Sequence, residues 1–386
     1  MRPGGNDGGW VDTYDTRYVD RYAEQLWDTM LAKAPEIVLF NWRDLVNPGP
    51  VAPGDRPWAN EATSFAWNDV TANAGAPSWG RVAGYSLSLI DPVVGKLGNP
   101  IGIASYKPYQ SSGEDFLQNY LGNIGMPIEM TPKFPAGASI VLLTQSAASD
   151  HAIIAKMKAA LAAGRKIVIT SGFLQAMQGK GIEDIVEWSE TGHVVPVQEF
   201  INGYAAGAGA SLNDAQPNPP VLVPEVHFYT NDSWPIVRAA ASNKGFPIVL
   251  MNRYSKGVIY LLTIPENIGD LYNLPRGVLT AIKTYLQGDF PVRIDSDPHV
   301  ALFAYDNGTF VVESFRSTPS QVNIRLSGAG LGLTEIATGA ALTPNAPRPP
   351  APTRRANPEP PTSEFPITLA PHSFRAFRIE GRNPQR

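Results

Sequence analysis

Cysteine is absent from the 386 residues of this chain. Its absence excludes disulfides, thiolate metal sites and every enzyme mechanism that depends on a cysteine nucleophile. Histidine is scarce, with five residues, and none of them has the H-x-x-x-H spacing that is typical of zinc enzymes. The sequence therefore predicts no metal site and no cofactor.

Charge of one sign does not dominate, because 31 Lys and Arg residues face 35 Asp and Glu residues, for a net charge of −4. A chain without an excess of basic residues is not attracted electrostatically to nucleic acids or anionic membranes. Long apolar runs are missing too, and none approaches the ~18 residues of a membrane span. We expect a soluble protein with neither nucleic acid nor membrane as a partner. The first ten residues contain no apolar signal segment, and the compartment stays unknown.

Proline and glycine, by contrast, are abundant, with 36 and 35 residues. Proline is enriched in two stretches, residues 43–78 and 344–366, and the first of them also contains three glycines. Neither stretch shows the periodic apolar pattern of a helix or a strand beyond one short helix predicted over 61–70. The first therefore predicts a long loop or connector, and the second predicts an insertion with no core of its own.

The stretch Ser139–Gly172 predicts a strand, a helix and a second strand. Ser139–Leu143 and Lys166–Thr170 are apolar runs without polar alternation, which is typical of parallel strands that are covered on both faces. Between them, four apolar residues recur at helical spacing: Ile153, Ile154, Met157 and Leu161. Gly164 stands where a glycine often ends a helix. Upstream, Ser111 and Glu114 have the spacing of a capping box and predict the start of another helix.

The fold class predicted from the whole chain is α/β, in three domains: residues 1–80, 81–290 and 291–386. The first contains an amphipathic helix over 16–34 and a short apolar strand over Glu36–Trp42, which we predict to be buried. The second is a parallel-sheet domain built around the unit just described. The third has a hairpin signal at Asp306–Gly308 and predicts a small antiparallel β-sandwich.

These elements, in this order, resemble the C-terminal half of multidomain glycoside hydrolases of the β-galactosidase type. Five stretches carry the resemblance: EIVLFNW (36–42), GEDFLQNYLGNIGMPIEM (113–130), KIVITSG (166–172), NRYSKGVIYLLTIPENIGDLYNLP (252–275) and FPITLAPHSFRAFRIEG (365–381). The resemblance implies a partial (β/α)-barrel segment, a domain like flavodoxin and class I glutamine amidotransferases, and a β-sandwich. It also implies carbohydrate as a partner and a homo-oligomer such as a trimer. Together with the abrupt, glycine-rich start, it favours a chain that is the C-terminal part of a longer protein.

The same resemblance implies that the usual catalytic carboxylates are missing, because the family carries them on the fourth and seventh barrel strands and this chain would hold only the eighth. If the chain is catalytic, loop acids must replace them. The candidates are Asp7, Asp12 and Asp15, followed by Asp44, Asp55 and Glu61. For each, a solvated loop carboxylate is the simpler interpretation, because nothing nearby indicates the burial that raises the pKa of a general acid.

Ser171 follows a strand at the turn where glutamine amidotransferases carry their cysteine. It lacks the G-x-S-x-G context of a hydrolase nucleophile. We therefore interpret its hydroxyl as a cap of the following turn and regard catalysis by a serine or a histidine pair as the weakest hypothesis.

Tryptophans cluster near the start of the chain, where six of the eight occur: Trp10, Trp27, Trp42, Trp58, Trp67 and Trp79. Indole rings stack on the apolar faces of sugar rings, and exposed ones are costly unless they are used. Trp27 lies on the apolar stripe of its helix and is predicted to pack in the core. Trp42 and its neighbour Asn41 follow a strand at the end where barrel enzymes bind ligands. We predict these two, with Trp10 and Trp58, as substrate contacts.

Two functions follow as hypotheses. The first is a carbohydrate-active protein of a glycoside hydrolase lineage, β-galactosidase-like, that lacks the usual catalytic pair in this chain. If it is catalytic, it hydrolyses O-glycosyl bonds. The alternative is a non-catalytic carbohydrate-binding or oligomerisation module.

Overall fold

The structure, a computed structural model, describes residues 8–13, 19–46, 79–203, 209–288, 290–345 and 362–381. The chain divides into two compact units. Unit 1 combines Met1–Ile101 with His299–Arg386, and unit 2 is Gly102–Pro298. The three domains that the sequence predicts, 1–80, 81–290 and 291–386, stay a prediction, because compactness does not show which segments fold independently.

Helices and strands are interspersed over residues 103–177 of unit 2, strands predominate over residues 189–262, and the described part of the chain after residue 291 contains strands but no helix. The helices are α1 (Val19–Leu31), α2 (Trp42–Val46), α3 (Trp79–Val94), α4 (Leu117–Gly122), α5 (Ile153–Ala162), α6 (Ser171–Met177) and α7 (Arg276–Leu286). The strands up to residue 202 are β1 (Gly9–Asp12), β2 (Ile37–Phe40), β3 (Pro100–Ile101), β4 (Ile103–Tyr106), β5 (Ile128–Thr131), β6 (Ile140–Leu143), β7 (Lys166–Thr170), β8 (Ser189–Val197) and β9 (Glu199–Asn202).

The later strands are β10 (Ala210–Ser211), β11 (Val221–His227), β12 (Ser233–Ala241), β13 (Lys244–Tyr254), β14 (Gly257–Leu262), β15 (Val292–Asp295), β16 (Val300–Tyr305), β17 (Thr309–Ser314), β18 (Ser320–Ser327), β19 (Gly332–Glu335), β20 (Ala341–Leu342), β21 (Thr362–Leu369) and β22 (Ser373–Glu380). Short 3-10 turns cover Gln145–Ser149, Ile182–Asp184 and Ile268–Asn273. Within the described residues, the helices are all too short or too polar to cross a membrane.

Unit 2 is organised around one mixed sheet with the strand order β10-β9-β12-β13-β14-β7-β6-β4-β5. The part from β14 to β5 is parallel. Strand β7 is covered on both faces, because Val168 packs in one apolar cluster while Ile167 and Ile169 pack in another. The predicted α/β class, with a parallel sheet and separate antiparallel sheets, is confirmed, and so is the strand, helix and strand of Ser139–Gly172.

The other half of this sheet is antiparallel. Strands β13 and β14 form a hairpin. Strand β12, which pairs with β13 and β9, has no counterpart in the sequence prediction. Its sequence, SWPIVRAAA, contains a proline and three alanines, which are depleted in strands, and its register shifts at Pro235. Neighbouring strands therefore decide its conformation, because β propensity depends strongly on context.

The predicted capping box at Ser111 and Glu114 is wrong. Helix α4 begins at Leu117, its N-cap residue is Phe116, and no side chain caps it. The Glu114 carboxylate instead accepts hydrogen bonds from the Thr170 hydroxyl at 2.5 Å and from the Gln145 N–H at 2.7 Å. Glu114 therefore joins the ends of β6 and β7. Its carboxylate binds Gln145 and Thr170, which are distant in sequence, instead of the N–H groups at the start of helix α4.

Ser171 has a structural role in this sheet. Its side chain is buried, and its hydroxyl oxygen accepts a hydrogen bond from the N–H of Ile264 at 3.0 Å. The cap of the following helix is Thr170, whose hydroxyl accepts from the Phe173 N–H. The expectation that Ser171 caps this turn is therefore wrong by one residue, while both hydroxyls serve the fold.

In unit 1, β1 and β2 form a two-stranded parallel sheet. The C-terminal strands form an antiparallel sheet in the order β20-β19-β22-β17-β16-β3, and β18 pairs with β21. The hairpin predicted at Asp306–Gly308 joins β16 to β17, with Gly308 at φ +78°. A single apolar cluster contains residues of β1, α1, α3 and this sheet. Helix α1 is thus the central packing element of unit 1.

Candidate functional site

The sheet of β1 and β2 has one covered face and one open face. In its register Trp10 pairs with Val38, and Asp12 pairs with Phe40. Since alternate residues of a strand point to opposite faces, these four lie on the same side. Trp10 is 63% exposed, Val38 50% and Phe40 42%. We call the surface formed by Trp10, Asp12, Val38 and Phe40 the open face.

The opposite side of the same sheet packs on the core. Val11 is buried, and Leu39 is partly buried against the cluster that contains helix α1. The prediction of a buried strand over Glu36–Trp42 is therefore wrong for one of its two faces. The run IVLF contains no polar residue, so alternation could not reveal which side is open.

Aromatic rings dominate the open face. The rings of Trp10 and Phe40 have their centroids 4.9 Å apart and their planes inclined by 31°. Two residues further along the chain, Trp42 begins α2 with a side chain that is 76% exposed. All three rings present apolar surface to solvent, with Phe40 and Trp42 at the carboxyl end of β2 and Trp10 two residues before the end of β1.

A polar network fixes the turn between β2 and α2. The Thr13 hydroxyl and the Asn41 side-chain amide both donate hydrogen bonds to Oδ2 of Asp44, at 3.0 and 2.9 Å. The Asp44 N–H in turn donates to Oδ1 of Asn41 at 3.1 Å. The side chains of Asn41 and Asp44 are thus engaged with each other, and they position Trp42.

Of the three acids that the sequence analysis names first, Asp7, Asp12 and Asp15, the structure describes Asp12. It ends β1 on the open face, and it is half-buried. Burial, and secondly the charge of Asp12, raise the pKa of the Tyr22 hydroxyl to about 12. Outside the described residues lie five predicted candidates: Asp7, Asp15, Asp55, Trp58 and Glu61.

Sequence reasoning missed two buried acids and one half-buried acid in unit 1. Glu24 and Asp28 lie on α1, and Glu313 lies on β17 with no exposed surface. Glu24 is buried and holds Nδ1 of His372 at 2.7 Å. In the described part of the chain, no three His, Cys, Asp or Glu residues could hold a metal ion. These acids face the protein interior and not the open face. Glu313 stands in the apolar run FVVESF (310–315), and from this run the sequence could have predicted a buried acid.

Family models match most of the chain in three segments. Residues 1–96 match a model described as the catalytic domain of a probable glycosyl hydrolase, and residues 291–379 match the C-terminal domain of a probable glycosyl hydrolase. Residues 98–267 match the second domain of the uncharacterized protein SSO3021. The matches at the two ends confirm the resemblance to a multidomain glycoside hydrolase. The comparison with curated proteins found no match.

Solved structures are similar to this chain at low sequence identity. The α-L-fucosidase isoenzyme 2 of Paenibacillus thiaminolyticus is similar with a TM-score of 0.52 and 11% identity, over 97% of this chain and 60% of that one. A catalytic mutant of the GH42 β-galactosidase Gan42B of G. stearothermophilus gives a TM-score of 0.49 and 12% identity, over 94% of this chain and 51% of that one. A β-galactosidase of Bacillus circulans gives 0.46 and 12%, over 92% and 51%. The chain thus spans about half the length of these β-galactosidases.

Proposed function

We propose that this chain, whose two ends match domains of probable glycosyl hydrolases, binds carbohydrate through the open face and Trp42. The observation that carries the proposal is the exposed pair of rings of Trp10 and Phe40. They stand within the segment that matches a glycosyl hydrolase catalytic domain. The carboxyl ends of parallel strands are also where barrel enzymes hold their ligands.

The chemistry of the open face suits a sugar. A pyranose ring has an apolar face, which aromatic rings cover, and a rim of hydroxyls, which polar groups bind. Asp12 stands beside Phe40 in the strand register, and neighbouring strands are about 4.8 Å apart. A sugar that stacks on Phe40 would therefore have a carboxylate within reach of its hydroxyls.

The finer architecture also belongs to this proposal. We assign β1, α1 and β2 to a partial (β/α)-barrel segment, the parallel sheet of unit 2 to a flavodoxin or class I glutamine-amidotransferase-like domain, and the C-terminal strands to a β-sandwich. The run of parallel strands from β14 to β5 and the antiparallel order of the C-terminal strands support this assignment.

Within the lineage, we propose that this chain lacks the usual pair of catalytic carboxylates. Glycoside cleavage requires two carboxyl groups that flank one bond. Asp44 is held by Thr13 and Asn41, and the acids of α1 and β17 face the interior. Asp12 alone of the described candidates lies on the open face.

The alternative is a non-catalytic carbohydrate-binding or oligomerisation module, and a homo-oligomer such as a trimer remains part of the proposal. One observation favours an additional contact surface in unit 2. Strands β8 and β11 form a separate two-stranded sheet on which Val194 and Leu222 are exposed. Exposed apolar side chains on a small sheet are costly unless another surface covers them.

Sugar binding is testable with β-linked galacto-, gluco- and fuco-oligosaccharides in isothermal titration calorimetry. We expect the wild-type chain to bind at least one of them. Trp10→Ala and Trp42→Ala should each weaken that binding about tenfold, since one lost aromatic contact is worth about 1–2 kcal/mol.

Tyr229→Ala serves as the matched control, because Tyr229 is similarly exposed but lies in unit 2. It should leave the affinity unchanged. If no oligosaccharide binds at millimolar concentration, or if the tryptophan variants bind as well as the wild type, the proposed site is wrong.

Catalysis is tested separately with nitrophenyl β-glycosides. Because one acid cannot supply both the proton donor and the nucleophile, we expect no release of nitrophenol above the buffer rate. Turnover that disappears in Asp12→Asn and persists in Asp91→Asn, a change on the exposed side of α3, would instead identify Asp12 as catalytic. That result would contradict the proposal that this chain lacks a pair of catalytic carboxylates. It would not contradict the proposed sugar binding.

A further inference from the structure

A cavity of about 190 Å³ lies at the amino-terminal edge of the parallel sheet in unit 2. Its lining includes Ile140 and Lys166, the first residues of β6 and β7, which are partners in the strand register. The chain at the ends of helices α5 and α7 supplies further lining, including Gly164 and Gly288. A single water requires only about 10–15 Å³ of cavity volume. The cavity therefore has room for a small ligand.

Gln287 brings an unpartnered amide to this cavity. It directly follows the last residue of α7, its side chain is 1% exposed, and it belongs to the lining. Neither Nε2 nor Oε1 of Gln287 forms a hydrogen bond with another group in the described part of the chain. Buried polar side-chain atoms are nearly always hydrogen-bonded in native proteins, because an unmade bond is costly. The cavity therefore offers one donor and one acceptor to a ligand.

Two cationic side chains, Arg165 and Lys166, line the same cavity. Lys166 lies on the same side of the sheet as Val168, which packs in the apolar cluster that contains α7. A Cβ built on Gly288 would stand 3.2 Å from Nζ of Lys166, so the ammonium group reaches the end of α7. Arg165 commits one N–H group to the carbonyl oxygen of Gly137 at 3.0 Å, and a guanidinium has several more. The described lining contains no acidic residue, so the site favours an anion.

The helix ends do not use these two cations. A cation stabilises the carboxyl end of a helix, where carbonyl oxygens are left without donors. At the end of α5, however, the backbone N–H groups of Gly164 and Arg165 donate to the carbonyl oxygens of Leu161 and Ala160, at 2.9 and 3.0 Å. Among the residues that the structure describes, neither cationic side chain donates a hydrogen bond to α5 or α7. Both cations are therefore free to bind an anion.

We propose that this cavity binds a small oxyanion that carries its own hydroxyl group, such as hydrogen phosphate or a hydroxycarboxylate. Lys166 and Arg165 attract the charged oxygens, and Nε2 of Gln287 donates to one of them. Oε1 of Gln287 can only accept, so it takes the hydroxyl hydrogen of the ligand. An anion without a hydroxyl leaves this oxygen unpartnered. The site lies wholly in unit 2 and does not depend on the proposed sugar binding by the open face.

Isothermal titration calorimetry near neutral pH and at physiological ionic strength tests the site with two matched pairs of anions. Phosphate retains a hydroxyl proton under these conditions and sulfate does not, whereas lactate differs from propionate by one hydroxyl group. We expect phosphate or lactate to bind at millimolar concentration, and about tenfold more tightly than its partner, because an unpaired buried acceptor is costly. The pair that shows this preference identifies the class of oxyanion.

Equal affinities within both pairs would overturn the proposal. So would the failure of phosphate and lactate to bind at millimolar concentration, which would indicate a cavity that holds only water.

Two variants assign the contacts. Gln287→Leu keeps the approximate volume of the side chain, and it should weaken the hydroxyl-bearing anion about tenfold and abolish the preference over its partner. Lys166→Met keeps the aliphatic stem without the charge, and it should weaken both members of the pair about tenfold while leaving the preference intact. Lys180→Met removes an exposed charge elsewhere in unit 2 and is the control. It should bind like the wild type.

A preference that survives in Gln287→Leu, or wild-type affinity in Lys166→Met, would contradict the assigned contacts and overturn the site. If Gln287→Leu does not fold, the comparison of Lys166→Met with Lys180→Met decides, since both remove one lysine charge and only Lys166 lines the cavity.

Discussion

Replacement of Trp27 by alanine is expected to lower the free energy of unfolding of unit 1 by about 3–5 kcal/mol. Trp27 is 2% exposed and lies on α1. Its indole N–H donates to the carbonyl oxygen of Ser86 at 2.9 Å, and its ring packs edge-on to Phe374 with centroids 5.1 Å apart. Alanine would leave a cavity between α1, α3 and β22, and it would remove the indole hydrogen bond to the Ser86 carbonyl oxygen.

Denaturant unfolding, followed by hydrogen exchange within unit 1, measures this loss, because the two units need not unfold in a single step. Trp27→Phe should cost less than Trp27→Ala, since it keeps a ring but loses the N–H donor. Trp42→Ala is the matched control for removal of an indole and should change stability by less than about 0.5 kcal/mol, as is usual at an exposed position. Equal effects of Trp27→Ala and Trp42→Ala would contradict a core role for Trp27.

Glu114→Ala is expected to destabilise unit 2 by about 3–4 kcal/mol, since hydrogen bonds to a partly buried carboxylate are strong and their loss leaves three donors without an acceptor. The Glu114 carboxylate accepts from the Thr170 hydroxyl and from the N–H groups of Gln145 and Gly172. Burial raises the pKa of Glu114 although these three bonds lower it. Alanine would remove a side chain that joins the ends of β6 and β7.

Glu114→Gln separates the hydrogen bonds from the packing. The amide keeps the shape but offers a single accepting oxygen, so we expect a loss of about 1–2 kcal/mol. Asp115→Ala is the control, because Asp115 is an exposed neighbour paired with Lys107, and it should leave the unfolding midpoint of unit 2 nearly unchanged. Similar midpoints for Glu114→Ala and Asp115→Ala would show that the strand ends do not depend on this carboxylate.

Local patterns predicted much of the fold. The unit at Ser139–Gly172 and the hairpin at Asp306–Gly308 follow from apolar periodicity and turn chemistry, which act over a few residues. Trp27 could be placed in the core because its helix has an apolar stripe. Strand β12 was missed, since its alanines and proline carry no strand signal of their own.

The candidate site was predictable only in part. The cluster of tryptophans near the start of the chain pointed to Trp10, which lies on the open face, and to Trp42, which is exposed two residues after Phe40. Phe40 was missed, because a strand with no polar residue does not show which face is covered. Asn41 was predicted for its position after the strand, but its side chain binds Asp44. Its contact with substrate stays a prediction.

The sequence by itself determined the α/β class, the parallel strands around α5 and the resemblance to glycoside hydrolases, because these depend on residues that are close together along the chain. Only the tertiary structure decided that Glu114 joins the ends of β6 and β7 and that Phe40 meets Trp10. A side chain's charge state, exposure and hydrogen bonds depend on which distant atoms surround it, and folding alone brings those atoms together.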